Sequence, residues 1–499
     1  TPDGSTQTLL YDSAHRLVET QDRGPNGALL GRTVYALNTS SEVVGSERFD
    51  GQGQRVLAST AGFDAYGRAN ALRGALGQTT QDSYDLDGRL TQRTNPLLGT
   101  TTYTYDALHR ATKVKDAMNG KSLLTYGPQD ELLTATDARG VATSYAYNGF
   151  GDLVRLGSPD RGTWTFTHDG AGRTITATDP RGVVVTTGYD AFSRPITRTF
   201  SDAGVSASTA GFEPGSQVHT FAYDSCAHGV GRLCQVVDGS GLTAYAHNAW
   251  GEVVGKAWTG KAGGPAAGIT LSSGYGYDAS TGRLTSIAFP SGKTQVLTYG
   301  PDGRLSALSY AGQGVASQIH WTAFGAIAGW HWPQATGWSG VHSSVVFTYD
   351  QDGRPERIAD LDQRDLVWDH GDRLVGVDDP ADASRSQLYG YDSLDRLTSA
   401  DIGAWNGPVA FTYDAAGNRT SVSEGNATSS WQYAYGLTSN RLASQSSVTN
   451  GTTTATFASA YDSMGNLVSD GIGLQLSYDA TGRLARGAKG PQEMTARYN

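Results

Sequence analysis

The hydrophobic and polar positions of this chain alternate over short runs. Residues 163–169, TWTFTHD, place aromatic rings and threonines at alternating positions. A period of two is typical of a β-strand with one apolar and one polar face. Other runs, such as TITAT at 174–178 and VVVTTGY at 183–189, are rich in the β-branched residues that favour strands. No segment has apolar residues at helical spacing over enough length to predict a helix instead of strands. The pattern therefore predicts an all-β protein.

A fixed spacing separates these runs. An aromatic residue, or histidine in one copy, recurs every 21 residues at Phe63, Tyr84, Tyr105, Tyr126, Tyr147, His168 and Tyr189. Beyond residue 189 the steps vary from 17 to 34 residues. A unit of this length holds two strands of roughly 20–25 Å each, at ~3.3 Å per residue, with a tight turn at each end. Since one unit cannot bury its own apolar face, neighbouring units must stack in order.

The repeated phrase Tyr-Asp-x-x-Gly-Arg has the composition of a turn. Asp85 and Gly88 stand at the first and fourth positions, where a type I turn prefers these residues. Arg89 then begins the next strand. We expect the aromatic residue, such as Tyr84, to fill space in a packed column, because histidine and tryptophan replace it in other copies. The same interpretation makes structural turn residues of Tyr105, Asp106, Arg110, Tyr189, Asp190 and Arg194.

A second turn closes the opposite end of each unit. TDARG at Thr136–Gly140 and TDPRG at Thr178–Gly182 lie 42 residues apart, which is twice the period. We call this the opposite turn and interpret both examples as ordinary turns. Side chains at equal positions in successive units are expected to stack as a ladder across adjacent units, at Tyr103, Leu124, Tyr145 and Phe166.

Composition limits the classes of function. A single hydrophobic core stops growing near roughly 250–300 residues, so 499 residues with 65 glycines and 25 tyrosines favour a repeat architecture. The net charge of −10 disfavours nucleic-acid binding, and no window approaches the ~18 consecutive apolar residues of a membrane span. The first residues lack the pattern of a signal peptide. Signatures of nucleophilic, zinc and phosphate-loop enzymes are missing from the sequence, so we expect neither catalysis nor a cofactor nor a bound metal.

Copies of YDxxGRL-like phrases extend from Tyr11 to Asn499, and on these residues the chain resembles the RHS or YD-repeat family. That family includes bacterial RHS polymorphic toxins, the B and C subunits of insecticidal toxin complexes, and animal teneurins. The resemblance implies a β-ribbon that spirals into a hollow, cocoon-like shell, which in the toxins encloses a C-terminal effector. The toxins usually close the shell with a DPxG segment that cleaves itself. The only DPxG here, Asp179–Gly182, is in step with Asp137–Gly140 and is therefore predicted to be a turn.

This resemblance defines the functional expectation. Residues 1–499 are expected to form a single shell domain, regular at 63–200 and looser with insertions at 201–499, within a longer chain. The expected partners are a C-terminal toxin or effector polypeptide as cargo and components of a bacterial secretion or delivery system. The expected location is secreted or delivered to a cell surface. The alternative is an extracellular YD-repeat recognition module that binds glycans or a neighbouring cell.

Two cysteines, Cys226 and Cys234, flank an expanded copy of the turn. We favour a disulfide that clamps this hairpin, since oxidising compartments permit one. Two reduced, half-buried thiols are the alternative. A metal site with His228 lacks a fourth ligand at the usual zinc spacing.

Three stretches break the period, at Ser201–His219, Gly255–Gly274 and Ser444–Ser459. We expect them to be surface insertions, and the alternative is that they are loops that bind cargo or a partner. A tryptophan-rich run follows at 321–338. Its aromatic rings either pack in the wall of the protein or contact a glycan or the cargo, the candidates being Trp330, Trp332 and Trp338.

Overall fold

A computed structural model describes residues 4–201, 217–264, 266–332, 344–360, 362–403, 407–425 and 428–495. Its regular structure is almost entirely β-strand. One turn of 3-10 helix, Ala383–Arg385, is the only helical element among the described residues. The predicted all-β class is therefore confirmed.

The strands follow one another at short intervals. The first twenty-two are β1 (Thr6–Tyr11), β2 (Leu17–Arg23), β3 (Leu29–Leu37), β4 (Val43–Asp50), β5 (Arg55–Phe63), β6 (Ala69–Gly74), β7 (Thr79–Tyr84), β8 (Leu90–Thr94), β9 (Thr100–Tyr105), β10 (Ala111–Lys115), β11 (Lys121–Tyr126), β12 (Leu132–Thr136), β13 (Ala142–Tyr147), β14 (Leu153–Ser158), β15 (Gly162–His168), β16 (Thr174–Thr178), β17 (Val184–Tyr189), β18 (Pro195–Phe200), β19 (Gln217–Tyr223), β20 (Leu233–Val237), β21 (Gly241–His247) and β22 (Val253–Gly260). The remaining strands are β23 (Thr270–Tyr277), β24 (Leu284–Ala288), β25 (Thr294–Tyr299), β26 (Leu305–Tyr310), β27 (Gln313–Trp321), β28 (Ile327–His331), β29 (Ser344–Tyr349), β30 (Pro355–Ala359), β31 (Gln363–Trp368), β32 (Leu374–Asp378), β33 (Gln387–Tyr391), β34 (Leu397–Asp401), β35 (Val409–Tyr413), β36 (Arg419–Ser423), β37 (Ser429–Tyr435), β38 (Leu442–Thr449), β39 (Thr452–Ala458), β40 (Ala460–Tyr461), β41 (Leu467–Ser469), β42 (Leu474–Tyr478), β43 (Leu484–Lys489) and β44 (Gln492–Thr495).

Strands β1–β39 form a 39-stranded sheet and β40–β44 a five-stranded sheet. The described strand pairs are antiparallel and join neighbours in the sequence. In the hairpin of β7 and β8 the pairing shifts between Ser83 and Tyr84, so that Tyr84 faces Leu90. This β-bulge at the aromatic residue recurs in the phrase hairpins, for example at His168 and Tyr189. A bulge next to a turn sharpens the local twist.

The two faces of the sheet differ, as the alternating pattern predicts. On one face Tyr145 pairs with Leu156, and Leu156 pairs with Trp164. On the other face Thr167 pairs with Thr176, and their hydroxyl oxygens lie 2.5 Å apart. The ladder expected directly between Tyr145 and Phe166 is wrong, since the returning strand of each hairpin places another side chain between successive members of that column.

Little of this sheet is buried. The accessible surface is 27,671 Å², whereas the area scaling of compact monomers gives roughly 17,600 Å² for a mass of 52.6 kDa. Among the apolar side chains of the described residues, Val183 and Cys234 are the largest that are fully buried. The apolar face therefore has no second layer of protein over most of its length.

The predicted insertions differ among themselves. Ser444–Ser459 lies almost wholly within strands β38 and β39, which pair directly from Ser444 opposite Ala458 to Thr449 opposite Thr452. This insertion is therefore a lengthened hairpin. In the second stretch, β22 continues to Gly260 and β23 begins at Thr270, which leaves a short loop between them. Most of the first stretch, at 202–216, lies outside the described residues.

The chain divides into two compact units. The first unit comprises Thr1–Thr104, Asp116–Met118 and Gly274–Val409, and the second comprises Tyr105–Lys115, Asn119–Ser273 and Ala410–Asn499. Each unit therefore combines an early and a late part of the chain.

Candidate functional site

In most copies the carboxylate of one aspartate organises the phrase turn, the name we give to the turn made by the repeated phrase. Oδ1 of Asp169 accepts hydrogen bonds from the backbone N–H groups of Ala171 at 2.9 Å and Arg173 at 3.0 Å. Oδ2 accepts from Nε of Arg173 at 2.7 Å. Gly172 has a φ of +75°, which glycine adopts without strain. One side chain thus fixes both the backbone of the turn and the position of the arginine.

The turn residues singled out from the sequence share this geometry. Asp85 accepts from the backbone of Asp87 at 3.0 Å and of Arg89 at 2.9 Å, and Gly88 has a φ of +83°. Nε of Arg89 lies 2.7 Å from Oδ2 of Asp85. Tyr84 and Tyr105 end the strands that enter their turns. The same set of bonds joins Asp106 to Arg110 and Asp190 to Arg194.

A donor and an acceptor are kept at the first and fifth positions of the turn when the residue types change. Where Asn418 replaces the arginine, its Nδ2 donates to Oδ2 of Asp414 at 2.9 Å. Where asparagine replaces the aspartate, the direction reverses, and Nδ2 of Asn148 donates to Oδ2 of Asp152 at 2.9 Å. The hydrogen bond, rather than the sign of the charge, is what these copies have in common.

The phrase arginine also links one repeat to the next. The guanidinium carbon of Arg173 lies 4.9 Å from the ring centroid of Tyr189, within range of a cation–π interaction. Nη1 of Arg173 donates to the carbonyl oxygen of Asp190 at 3.3 Å. Arg68 makes the same two contacts with Tyr84, at 4.8 Å, and with the carbonyl of Asp85, at 2.9 Å.

The aromatic residue does more than fill space, which corrects the expectation from the sequence. The hydroxyl of Tyr189 donates to the carbonyl oxygen of Thr174 in the preceding repeat at 2.9 Å. Where tryptophan takes this place, Nε1 of Trp368 donates to the carbonyl oxygen of Pro355 at 2.7 Å. Tyrosine, tryptophan and histidine replace one another because each carries a polar hydrogen at the far edge of a flat ring.

Hydrogen bonds to the phrase carboxylates lower their pKa values. The side-chain hydrogen bond from the partner arginine is the main reason that the pKa values of Asp64, Asp106 and Asp169 lie below the usual 3.8. At Asp278 the hydroxyls of Ser280 and Thr281 donate instead and lower the pKa to about 2. These carboxylates therefore remain charged at neutral pH.

In the second unit, the arginine of an opposite turn completes a distant phrase turn. The copy at Asp414 has asparagine in place of its arginine. Nε of Arg139 lies 3.1 Å from Oδ2 of Asp414. Its guanidinium carbon lies 5.7 Å from the ring centroid of Tyr435, and Nη2 donates to the carbonyl oxygen of Gly436 at 2.9 Å. A phrase arginine makes these same three contacts, so Arg139 takes the place of the missing one.

Further hydrogen bonds connect opposite turns of the early segment to the chain around residues 436–440. Nη1 of Arg139 donates to the carbonyl oxygen of Ser439 at 2.8 Å and to Oδ1 of Asn440 at 2.9 Å. From the next opposite turn, Oδ1 of Asp160 accepts from Oγ of Ser439 at 2.6 Å and from the backbone of Asn440 at 2.7 Å.

A second opposite turn, TDPRG, makes one of these contacts, the hydrogen bond to the carbonyl of a distant phrase turn. Asn466 occupies the arginine position of the copy at Asp462, and Nη1 of Arg181 donates to the carbonyl oxygen of Asp479 at 2.7 Å. Arg181 also pairs with Asp179 at 2.6 Å, with both side chains nearly buried. Thr178–Gly182 is a turn, as predicted, since the N–H of Gly182 donates to the carbonyl of Asp179. It is not an ordinary turn, because its arginine reaches another part of the chain.

Apolar packing accompanies these polar contacts. Val183 at the end of this opposite turn forms a buried cluster with Phe200 and with Ala480 of the phrase turn. We call this row of contacts the second-unit seam, comprising Arg139, Asp160, Arg181 and Val183 on one edge and Asp414, Gly436–Asn440 and Asp479–Ala480 on the other.

The first unit has a seam of the same kind. Oδ1 of Asp352, in a phrase turn, accepts from the backbone N–H of Ala75 at 2.7 Å, and Oδ2 accepts from that of Leu76 at 3.2 Å. Further along, Gly371 approaches the side chain of Leu97 so closely that a Cβ at this position would require Leu97 to move. In each unit, opposite turns of the early segment bind phrase turns of the late segment.

The remaining predicted candidates lie away from the seams. Cys226 and Cys234 are bonded to each other, with Cα atoms 5.6 Å apart, across the expanded phrase turn. Trp330 packs against Trp332 and Phe347, with ring centroids 5.5 and 5.6 Å away. Trp332 is 43% exposed, and Trp338 lies outside the described residues.

Two kinds of site are missing from the described part of the chain. It contains no group of three or more histidine, cysteine, aspartate or glutamate side chains that could hold a metal ion. No helix in that part is long and apolar enough to cross a membrane.

Comparison with solved structures shows that proteins of toxin complexes contain a similar fold. TcdB2–TccC3 without its hypervariable C-terminal region superposes with a TM-score of 0.76 over 98% of this chain at 16% sequence identity. The Tc holotoxin pore of Photorhabdus luminescens superposes with a TM-score of 0.65 over 99% of the chain at 15% identity. The chain spans 29% of the length of each of these structures. At this identity the likeness establishes the fold.

Family models then support the resemblance inferred from the phrase. The teneurin YD-shell model matches residues 44–207, and the RHS repeat model matches residues 391–429. The search of curated proteins gave no match. The predicted resemblance to RHS and YD-repeat proteins is therefore confirmed in both an early and a late segment.

Proposed function

We propose that this chain is part of the encapsulating shell of an RHS-type toxin, and that it encloses and shields a C-terminal effector polypeptide before delivery. The single observation that carries the proposal is the single-layer sheet, whose apolar face lacks a second layer over most of its length and whose fold matches a toxin-complex shell. A sheet of this kind can act as a wall.

The seams hold the edges of the wall in contact with each other. Unpaired strand edges and loose turns would admit proteases and promote aggregation. Seam contacts such as those of Arg139 and Asp352 join ribbon segments that are far apart in sequence within each unit. We infer that both units belong to one shell domain. We also infer that components of a secretion system bind the longer chain of which this shell is a part, and that the protein acts outside the producing cell.

The role of the chain in this proposal is exclusion rather than catalysis. Many of its carboxylates and arginines take part in turn and seam contacts, as Asp169 with Arg173 and Asp179 with Arg181 illustrate. Binding of a glycan by the tryptophan cluster has less support, because Trp330 packs against Phe347 and Trp332 within the protein.

A protection experiment tests the proposal. An unstructured reporter polypeptide with protease sites and a terminal epitope would be fused after residue 499, and the same reporter would be fused to an unrelated globular carrier. Shielding predicts that protease removes the epitope much more slowly from the shell fusion than from the carrier fusion. Equal rates would contradict the proposal. The fusion with Arg139→Ala and Arg181→Ala serves as a control, because opening the second-unit seam should remove the protection.

A further inference from the structure

Two consecutive phrase turns of the second unit lack an arginine. Glu131 and Asp152 occupy the fifth positions of the copies that begin at Tyr126 and Tyr147. In the neighbouring copies, the guanidinium carbons of Arg110 and Arg173 lie 4.8 and 4.9 Å from the ring centroids of Tyr126 and Tyr189. No cation covers the ring of Tyr147 or His168 among the contacts of the described residues. These two rings have an empty position where the copies on either side hold a guanidinium.

The groups around this position suit a positive charge. Oε2 of Glu131 accepts one bond, from the backbone of Gln129 at 3.1 Å, and Oδ2 of Asp152 accepts one from Asn148 at 2.9 Å. The second oxygen of each carboxylate has no hydrogen bond among the described contacts. The two carboxylates thus face an empty cation position with no guanidinium of their own repeat.

An exposed aromatic side chain lies between Glu131 and Asp152 in the sequence. Phe150, the third residue of its phrase turn, is 94% exposed. In one copy of the second-unit seam the equivalent residue, Met464, is half-buried and lines a cavity of about 330 Å³ with Arg181 and Ala480. We call Glu131, Tyr147, Phe150, Asp152 and His168 the acidic gap.

We propose that the acidic gap binds an arginine-bearing hairpin turn of another YD-repeat ribbon, of the Asp-x-Arg-Gly kind. Its guanidinium lies over Tyr147, donates to the carbonyl oxygen of Asn148 and pairs with Glu131, while Phe150 packs against the turn.

The second-unit seam is the precedent for this arrangement. There an Asp-Ala-Arg-Gly turn inserts Arg139 between Asp414, the ring of Tyr435 and the carbonyl of Gly436, in a copy that also lacks its arginine. Arg139 and Arg181 are already bound in that seam, so the partner turn comes from a different ribbon. This inference does not depend on whether the shell holds cargo.

Binding of a stapled hairpin tests the proposal. The probe is a fluorescent peptide with the sequence of residues 132–146, closed by a terminal disulfide, and its control carries glutamine in place of the arginine. Fluorescence anisotropy against the 499-residue chain should show saturable binding of the arginine peptide, weakened by roughly tenfold in the glutamine peptide. In the chain, Phe150→Ser should weaken binding by roughly tenfold or more, and Glu131→Gln by roughly two- to fivefold.

A matched variant guards against a general effect of exposed rings. Phe192 is 80% exposed at the same place in its turn, but Arg194 already covers the next ring, Tyr223, at 4.4 Å. Phe192→Ser should leave binding unchanged, and circular dichroism should confirm that each variant is folded.

Four results would overturn the proposal. The first is that the two peptides bind with equal affinity or that neither shows saturable binding. The second is that Glu131→Gln does not change the affinity, and the third is that Phe192→Ser weakens binding as much as Phe150→Ser does. The fourth is that the chain forms a concentration-dependent dimer that Phe150→Ser abolishes. The last result, measured by sedimentation velocity, would assign the surface to a second copy of this chain.

Discussion

Arg139 lies 3.1 Å from the carboxylate of Asp414 and takes the place of an arginine that the repeat at Asp414 lacks. Arg139 thus joins an opposite turn of the early segment to a phrase turn of the late segment by the same contacts that join consecutive repeats. One local interaction therefore serves two purposes, the winding of the ribbon and the closure of a seam within the unit.

Removal of this arginine should open the seam. Arg139→Ala leaves Asp414 without its ion pair and removes hydrogen bonds to Gly436, Ser439 and Asn440. We expect a loss of roughly 2–4 kcal/mol in the local free energy of opening. Hydrogen exchange by mass spectrometry should show faster exchange in peptides that cover residues 436–440.

The chain offers both a control and a rescue for this variant. Arg161 occupies the next opposite turn and is exposed, so Arg161→Ala should change stability by less than about 0.5 kcal/mol. Asn418→Arg in the Arg139→Ala background restores the arginine from within its own repeat and should recover much of the protection. If Arg161→Ala accelerates exchange as much as Arg139→Ala does, the seam interpretation fails.

The hydrogen-bond acceptor and donor at the first and fifth positions of a phrase turn should be able to change places. Asp369 accepts from Nε of Arg373 at 2.7 Å and from the backbone of Gly371 at 2.8 Å. Asp369→Asn turns two donors towards each other and should cost roughly 1–2 kcal/mol. Adding Arg373→Asp recreates the pair seen at Asn148 and Asp152 but also removes the contacts of Arg373 with Tyr391 and the carbonyl of Asp392. The double variant should therefore lose less stability than the sum of the losses in the two single variants. A double-mutant cycle from urea unfolding measures the coupling, and additive losses would contradict the donor–acceptor rule.

The hydroxyl of the phrase tyrosine should matter at the turn and not within the strands. Tyr189→Phe removes the hydrogen bond to the carbonyl of Thr174 and should destabilise the protein by roughly 1 kcal/mol. Tyr145 lies within strand β13 on the apolar face, so Tyr145→Phe is the matched control and should have a smaller effect. Equal midpoints of thermal unfolding for the two variants would show that the ring acts only as filler.

Acid should weaken the fold below about pH 4. The pKa values of Asp64, Asp106 and Asp169 lie below their unfolded value of 3.8, and that of Asp278 is about 2. A depressed pKa means that the stabilisation is complete above the unfolded value and is lost as the pH falls through the folded value. Thermal unfolding followed by circular dichroism should show a nearly constant midpoint at neutral pH and a steep fall between about pH 4 and 2. A midpoint that rises on acidification would contradict this origin.

The clamp across the expanded turn should be a true disulfide in protein purified without reductant. Peptide mapping without reductant should recover Cys226 and Cys234 in one linked fragment. A bridge over so short a loop stabilises by roughly 2–3 kcal/mol in the chain-entropy estimate, so Cys226→Ser should lower the local stability of this hairpin. Recovery of two free thiols would contradict the assignment.

The repeat chemistry was predictable because it is local. Asp85, Gly88 and Arg89 lie within five residues of one another, and the turn preferences of aspartate and glycine suffice to place them. The role of the tyrosine hydroxyl was missed, although the replacement of tyrosine by tryptophan and histidine was a signal for a polar hydrogen.

The seams were missed because they join distant residues. Asp137–Gly140 and Asp179–Gly182 look like plain turns when each is considered alone. The available signal was a pair of coincidences, an arginine in each of these turns and an asparagine at 418 and 466 where most copies have arginine. Sequence spacing did not reveal which turn meets which, since that depends on how the ribbon winds.

Small-angle scattering of the monomeric chain tests the central claim most directly. A compact globule of 499 residues has a radius of gyration of roughly 23 Å. A wall of a single sheet layer around an open interior predicts a clearly larger value and a distance distribution shifted towards long vectors. A radius near the compact value, with the distance distribution of a solid particle, would contradict the account.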